Sequence, residues 1–271
     1  MFASRSCSGH AAAFLLLLSG SGRAQSLTDS MLPPRPEAVS ELAFEASPAS
    51  CAHPFGLHAG QNLEYQILNS KGKSTGAVRY RVVSISTDSV AHKKNKAVVT
   101  TSVRLKSGLY DPTNLVLAQQ DLTFFCRNDT TFTDGLREIN YEGLKSFRDR
   151  RMTYQGTPLA WPNQPAPGSA LGEGGALVQV SSPSVAIAKV KTTVLKRKLV
   201  AGRIPVTVPA GTFSCYMVKS ERELATAARA DLVLKNAGRE IDYYDPAVGI
   251  IKTEYYDKKG KLLQSRVLAR H

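Results

Sequence analysis

The chain has 271 residues, 42% of them hydrophobic, and carries 35 Lys and Arg against 22 Asp and Glu, a formal net charge of +13. That length suits one large or two small domains, and no window reaches the apolar length that a helical membrane span needs. The basic excess favours contact with anionic surfaces (lipid headgroups, polysaccharide or nucleic acid), against the plainer alternative of a basic solvated surface.

The chain opens on a polar start with Arg5, a short apolar run from Ala11 to Leu18, and a small-residue end at Gly22, Arg23 and Ala24. This is the grammar of a secretory signal peptide over residues 1–24, cleaved after Ala24. No cysteine stands at the cleavage point, so a lipid-anchored product is not indicated. Residues 1–24 hold two arginines and no acid, so the mature chain keeps +11. Its expected location is the periplasm or cell envelope, or outside the cell. Cys7 leaves with the signal, and Cys51, Cys126 and Cys215 remain in an oxidising compartment. An odd number makes one bridge plus one free thiol the simplest outcome. Residues 25–50, with Pro33, Pro34, Pro36 and Pro48 and no period-two pattern, read as a flexible leader. A single all-β domain is expected over residues 51–271, large enough to bury a core without help from metals.

Leu63, Tyr65 and Ile67 form the inward face of a first strand. Val78, Tyr80 and Val82 alternate with Arg79 and Arg81 in a second, and Val99, Thr101, Val103 and Leu105 face inward from a third. The lysines at 93, 94 and 96 between them mark an exposed loop. Leu122, Phe124 and Cys126 continue the pattern, one face buried and one wet. Over residues 136–151, Leu136, Ile139, Leu144 and Phe147 fall at helix-like intervals, and a short helix or irregular turn is expected. Pro158 to Gly175 is rich in Pro and Gly and reads as a long loop around Trp161. Val185 to Val200 is a β-type run whose face assignment shifts midway, the mark of a bulge.

The next hairpin is the clearest. Ile204, Val206 and Val208 alternate with polar residues before Pro209 and Gly211, and Phe213, Cys215 and Met217 alternate after them. Pro209 suits the first central position of a tight turn, and Gly211 the left-handed return into the second strand. Similar turns are expected at Asn69–Gly72, Lys235–Gly238 and Asp257–Gly260. Ile251, Thr253 and Tyr255 share a face, and Leu263, Ser265, Val267 and Ala269 close the chain. Roughly ten to twelve strands with little helix imply an antiparallel meander of hairpins, forming a β-sandwich or a strongly curved open barrel. Cys126 and Cys215 lie in phase with Phe124 and Phe213 and are the preferred disulfide. Three buried thiols, or a bridge through Cys51, are the alternatives.

Three segments carry a resemblance. They are Gly60 to Tyr65 leading into Lys71, Gly72 and Lys73; the run Val208 to Tyr216; and the tail Tyr244 to Leu263. Over about residues 51–270 the chain resembles the exported family labelled TapB-like, close to a bacterial domain of unknown function. The resemblance implies an all-β protein of a bacterial envelope and implies no activity.

Candidate chemistry is sparse. Cys51, His53 and His58 are close in sequence, but no further histidine completes a zinc ligand set nearby, so no metal site is assigned. There is no Gly-x-Ser-x-Gly segment, and the alternation of Cys215 with Phe213 and Met217 places it in the core rather than in catalysis. Glu240, Asp242 and Asp245 cluster; paired carboxylates can hydrolyse glycosides, but Glu240 and Asp242 share one strand face and read as a solvated stripe. Asn128 to Thr130 fits a glycosylation acceptor, which in a bacterial protein reads as chance. Lys189, Lys191, Lys196, Arg197, Lys198 and Arg203 form a candidate basic patch for lipid headgroups or acidic glycan. Without interleaved aromatics it does not suit nucleic acid.

The leading expectation is a non-enzymatic envelope binding module, with no cofactor, for a lipid, peptide or glycan. Candidate ligand-facing residues are Tyr65, Tyr80, Val103, Phe124, Phe213 and Tyr255. A structural or interaction protein using sheet edges or the basic surface, with another envelope protein as a candidate partner, is the second expectation. A hydrolase assembled from separated segments is the third.

Overall fold

Period-two alternation puts the apolar side chains of successive strands on one face, and that face closes on itself. The computed structural model describes residues 53–92, 96–229 and 232–271; the signal-peptide and leader readings, and Cys51, lie outside them. Fourteen strands follow in order: β1 (Asn62–Asn69), β2 (Ser74–His92), β3 (Lys96–Tyr110), β4 (Val116–Arg127), β5 (Thr130–Thr133), β6 (Arg151–Thr157), β7 (Leu159–Pro162), β8 (Ala170–Leu171), β9 (Gly174–Ser181), β10 (Ala186–Val208), β11 (Gly211–Arg229), β12 (Leu232–Asp245), β13 (Gly249–Asp257) and β14 (Leu262–Arg270). Short helical turns cover Gly135–Glu138, Tyr141–Leu144 and Lys145–Phe147, in the segment where helix-like spacing occurs.

All strands belong to one antiparallel sheet, ordered β6, β9, β10, β11, β12, β13, β14, β1, β2, β3, β4, β5, β7, with β8 paired to β10. The two ends of this path, β6 and β7, are separated in the chain by Pro158 alone. Covalent continuity therefore draws the ends together, and the sheet is a nearly closed barrel. This decides between the two expected architectures: the barrel fits and the two-sheet sandwich does not.

The main core fills the barrel with Leu63, Tyr65, Tyr80, Val82, Val103, Leu105, Leu122, Phe124, Trp161, Leu199 and Leu268 among others. A second cluster packs Ile139 and Leu144 of the helical turns on Val178, Val180 and Val190 of β9 and β10.

Several sequence expectations are corrected. The stretch Lys235–Gly238 is not a turn but the interior of β12, where Gly238 opposes Asp257 of β13. A Cβ on Gly238 would lie 2.2 Å from the carbonyl oxygen of Tyr256, so close backbone approach, not a reversal, explains this glycine. The turns ending at Gly72, Gly211 and Gly260 stand, each with positive φ. Trp161 lies in β7 rather than in a long loop, and its indole is 1% exposed. Val99 is outside the core at 48% exposure.

The expected Cys126–Cys215 bridge does not form. Cys215 is free and buried, while Cys126 is disulfide-bonded. Six strands lie between β4 and β11 along the sheet, so their shared phase does not bring the two thiols together.

Candidate functional site

An antiparallel barrel needs an apolar interior only where nothing polar is satisfied there. In this barrel the inward rows of β11 to β14 are charged. Register sets Val218, Asp242, Thr253 and Arg266 side by side across the four strands, with Ser220, Glu240, Tyr255 and Gln264 in the next inward row. Glu240 is 2% and Asp242 1% exposed. The reading of these two acids as a solvated stripe is therefore corrected: the stripe faces inward, and cationic partners make its burial tolerable.

Those partners come from separate elements. Arg222 of β11 donates from Nη1 to Glu138 Oε2 and, at 2.9 Å, to Glu240 Oε2, and from Nη2 to the Glu138 carbonyl at 3.1 Å. Its guanidinium lies 5.1 Å from the centre of the Tyr255 ring. Arg137, beside Glu138 on the first helical turn, is buried with Nη1 3.8 Å from Glu138 Oε1. Thr253 Oγ1 donates to Asp242 Oδ1 at 2.7 Å.

Arg197 reaches the interior from β10. Lys196 adopts φ of +51° and the pairing with β11 shifts register there, so the residue after it turns inward. Arg197 is 1% exposed, stacks 4.5 Å from the Trp161 ring and donates from Nη1 to the Gly172 carbonyl. It thus leaves the expected basic patch, whose other members, Lys189, Lys191, Lys196, Lys198 and Arg203, stay exposed. Of these, Lys196 pairs with Glu221, and Arg203 stacks on Tyr216.

The interior thus gathers Arg137, Arg197, Arg222 and Arg266 against Glu138, Glu240 and Asp242. The carboxylates do not ionise alike. Burial opposes charge on Glu138, but Arg222, Arg137 and Arg266 outweigh it and hold its carboxyl down at about 2. Burial, with Asp242 and Glu138 nearby, pushes Glu240 up to about 8. Burial also raises Asp242, against the pull of Arg137. Near neutral pH Glu240 holds a proton, and the cluster carries a net positive charge.

This has a consequence for stability. Glu240 has a folded-state pKa above its ordinary value of 4.5, so its contribution is full below pH 4.5 and is lost as pH rises towards 8. Glu240→Gln mimics the protonated form. The variant is expected to lose the part of the decline in melting temperature between pH 5 and 8 that wild type shows, while matching wild type near pH 5. Parallel slopes in the two proteins would refute the assignment.

Beside this cluster lies a cavity of about 410 Å³. Arg222, Arg266 and Tyr255, which border the charged cluster, line it together with the apolar Ile67, Leu109, Ile139 and Leu224. Arg239, Asn236 and Glu142 are among its polar lining. Arg266 Nε makes no hydrogen bond within the protein.

Of the six ligand-facing candidates, Tyr255 alone lines this cavity. Tyr65, Tyr80 and Phe124 pack edge to face, with ring centres 5.6 and 6.3 Å apart, around a gap of only about 10 Å³. Val103 is fully buried. Phe213 packs against the His271 ring. Sequence reasoning missed Arg137, Glu138, Arg222 and Arg266. The available signal was their phase: Arg266 is in step with inward Leu268, and Arg222 with inward Ser220. Among the described residues no group of three or more His, Cys, Asp or Glu side chains is placed to hold a metal ion, and no helix is long and apolar enough to cross a membrane.

The DUF3108-like family model matches residues 58–268, most of the chain and the whole of the barrel from β1 into β14. The chain belongs to the DUF3108-like family. This match does not confirm the TapB-like label. Two solved structures share the DUF3108-like chain's fold. One is a "putative lipoprotein" from Parabacteroides distasonis, 21% identical, with a TM-score of 0.63, covering 80% of this chain and 97% of that one. The other is a "putative exported protein with YmcC-like fold" from Bacteroides fragilis, 20% identical, with a TM-score of 0.57, covering 81% and 99%. No curated protein matches at significant similarity.

Proposed function

We propose that this DUF3108-like protein is a non-enzymatic binding module of the bacterial envelope whose ligand is an anionic amphiphile, the lipid class rather than a peptide or glycan. The observation that carries the reading is the cavity of about 410 Å³, in which Arg222 and Arg266 stand beside the apolar Ile67, Leu109, Ile139 and Leu224. Its size lies in the range of small-molecule sites. Apolar walls favour a hydrocarbon chain, and the excess of guanidinium over ionised carboxylate favours a negative head.

The signal-peptide grammar of residues 1–24 supports export, as do the descriptions of the two structural neighbours as lipoprotein and exported protein. A binding role is favoured over hydrolysis because Arg222 and Thr253 occupy the buried carboxylates Glu240 and Asp242, and neither acid lines the cavity.

A dansyl-labelled medium-chain fatty acid tests this. Its emission is expected to rise and shift to the blue on binding wild type. Oleate should displace it and oleyl alcohol should not. Arg266→Met removes one charge-assisted hydrogen bond and is expected to weaken binding by about tenfold or more. Equal displacement by the acid and the alcohol, or an unchanged affinity in Arg266→Met, would refute the proposal.

A further inference from the structure

Strand register collects three chain reversals and a two-stranded ribbon at one end of the barrel. Gln264 opposes Asn69, which sets the turn after β13 beside the turn after β1. Ala77 opposes Tyr110, which adds the turn after β3. Gly238 opposes Asp257, so β12 residues 232–237 and their β11 partners run on past the end of β13 as a two-stranded ribbon on that side. The cavity opens at this same end, since Tyr110, Asn236, Asp257 and Leu263 line it.

The surface there is unusual. Leu232, Val233 and Leu234 are 48, 42 and 69% exposed, and Leu115, Val116 and Leu117 are 64, 44 and 54% exposed. Successive side chains of a strand point to opposite faces. For Leu232, Val233 and Leu234 this means that both faces of the ribbon stand in solvent past the end of β13, whereas Leu115, Val116 and Leu117 lead into β4, where Val116 pairs with Tyr110 and Leu117 lines the cavity. Scattered exposed leucines are ordinary, but two such runs at one end are not. Exposed lysines accompany them: Lys71 and Lys73 after β1, Lys235 on the ribbon, and Lys258, Lys259 and Lys261 after β13. Asp257 and Asp111 at these turns are engaged by backbone amides of their own loops.

Apolar tips set among cations are the surface chemistry of proteins that lie on anionic bilayers: the leucines enter the acyl boundary and the lysines meet the phosphates. We infer that this end of the barrel docks on an anionic membrane surface, with the cavity mouth facing the lipid. A protein partner with an acidic, apolar face is the competing occupant, and the assignment to lipid rests on the even mixture of cations with projecting leucines.

The docking surface stands apart from the cavity reading and is tested separately. Trp161 is the chain's one tryptophan and is buried, so an added tryptophan reports its own site. In the exported chain, Leu234→Trp and Leu115→Trp are expected to be quenched by vesicles containing acyl-brominated phosphatidylglycerol, and much less by brominated phosphatidylcholine alone. Val90→Trp, at the opposite end of β2 and roughly 50 Å away, is expected to stay unquenched. Lys258→Glu with Lys259→Glu should weaken vesicle binding by about tenfold or more, whereas Arg266→Met should leave quenching unchanged. Quenching of Val90→Trp equal to that of Leu234→Trp, or no quenching at either tip, would overturn the inference. The second result would turn attention to the acidic protein partner.

Discussion

Replacing Arg222 by methionine is expected to destabilise the folded chain by about 3–5 kcal/mol, measured by urea unfolding at pH 7. The guanidinium joins Glu138 and Glu240, whose side chains are each only 2% exposed. Glu138 ionises readily, its carboxyl held at about 2, and without Arg222 its nearest cation is Arg137 at 3.8 Å. The cost is the penalty of a buried charge left unpaired, not the net worth of the pair. Replacing Arg222, Glu138 and Glu240 together by methionine is accordingly expected to recover most of the loss. A cost below about 1 kcal/mol for the single substitution would mean that the cluster is solvated.

Trp161→Ala is expected to cost a similar amount, about 3–5 kcal/mol by the same measurement. Trp161 is the largest fully buried side chain. It stacks edge to face on Tyr244 at 5.2 Å and donates from Nε1 to Thr133 Oγ1 at 2.9 Å. Arg197 rests on the indole and uses only Nη1 in a hydrogen bond within the protein, Nε and Nη2 having no such partner. Removing the ring leaves a cavity and also takes away the cation–π surface that offsets the burial of Arg197. Trp161→Phe keeps a ring face and should cost clearly less than alanine. Alanine and phenylalanine costing the same would show that the indole face does not support Arg197.

Much of the strand layout is legible in the sequence because one face of each strand is apolar. Leu63, Tyr65 and Ile67, or Leu122, Phe124 and Cys126, announce their inward direction by alternation alone. The site is harder to read for the opposite reason. Alternation separates two faces but does not say which is wet, and Glu240 with Asp242 gives the wrong answer unless Arg222 and Arg137 are known to lie opposite. Arg197 is hidden by one residue, Lys196, whose left-handed backbone reverses the phase of the residues that follow as far as Leu199, before further register shifts restore it. Asn236, Ala237 and Gly238 have the composition of a turn, and only the close approach of Tyr256 reveals a strand. The order of strands around the barrel, which separates Cys126 from Cys215 and brings β6 and β7 to the same seam, is a global property that local spacing does not encode.

A binding role for this protein requires that the cavity beside Arg222 and Arg266 be a ligand site. Native mass spectrometry of the exported chain, recovered from its own envelope under gentle conditions, tests that most directly. A co-purifying adduct, identified as an acidic lipid or fatty acid and depleted in Arg266→Met, is the predicted result. A chain that flies at its bare polypeptide mass, in wild type and variant alike, would contradict it.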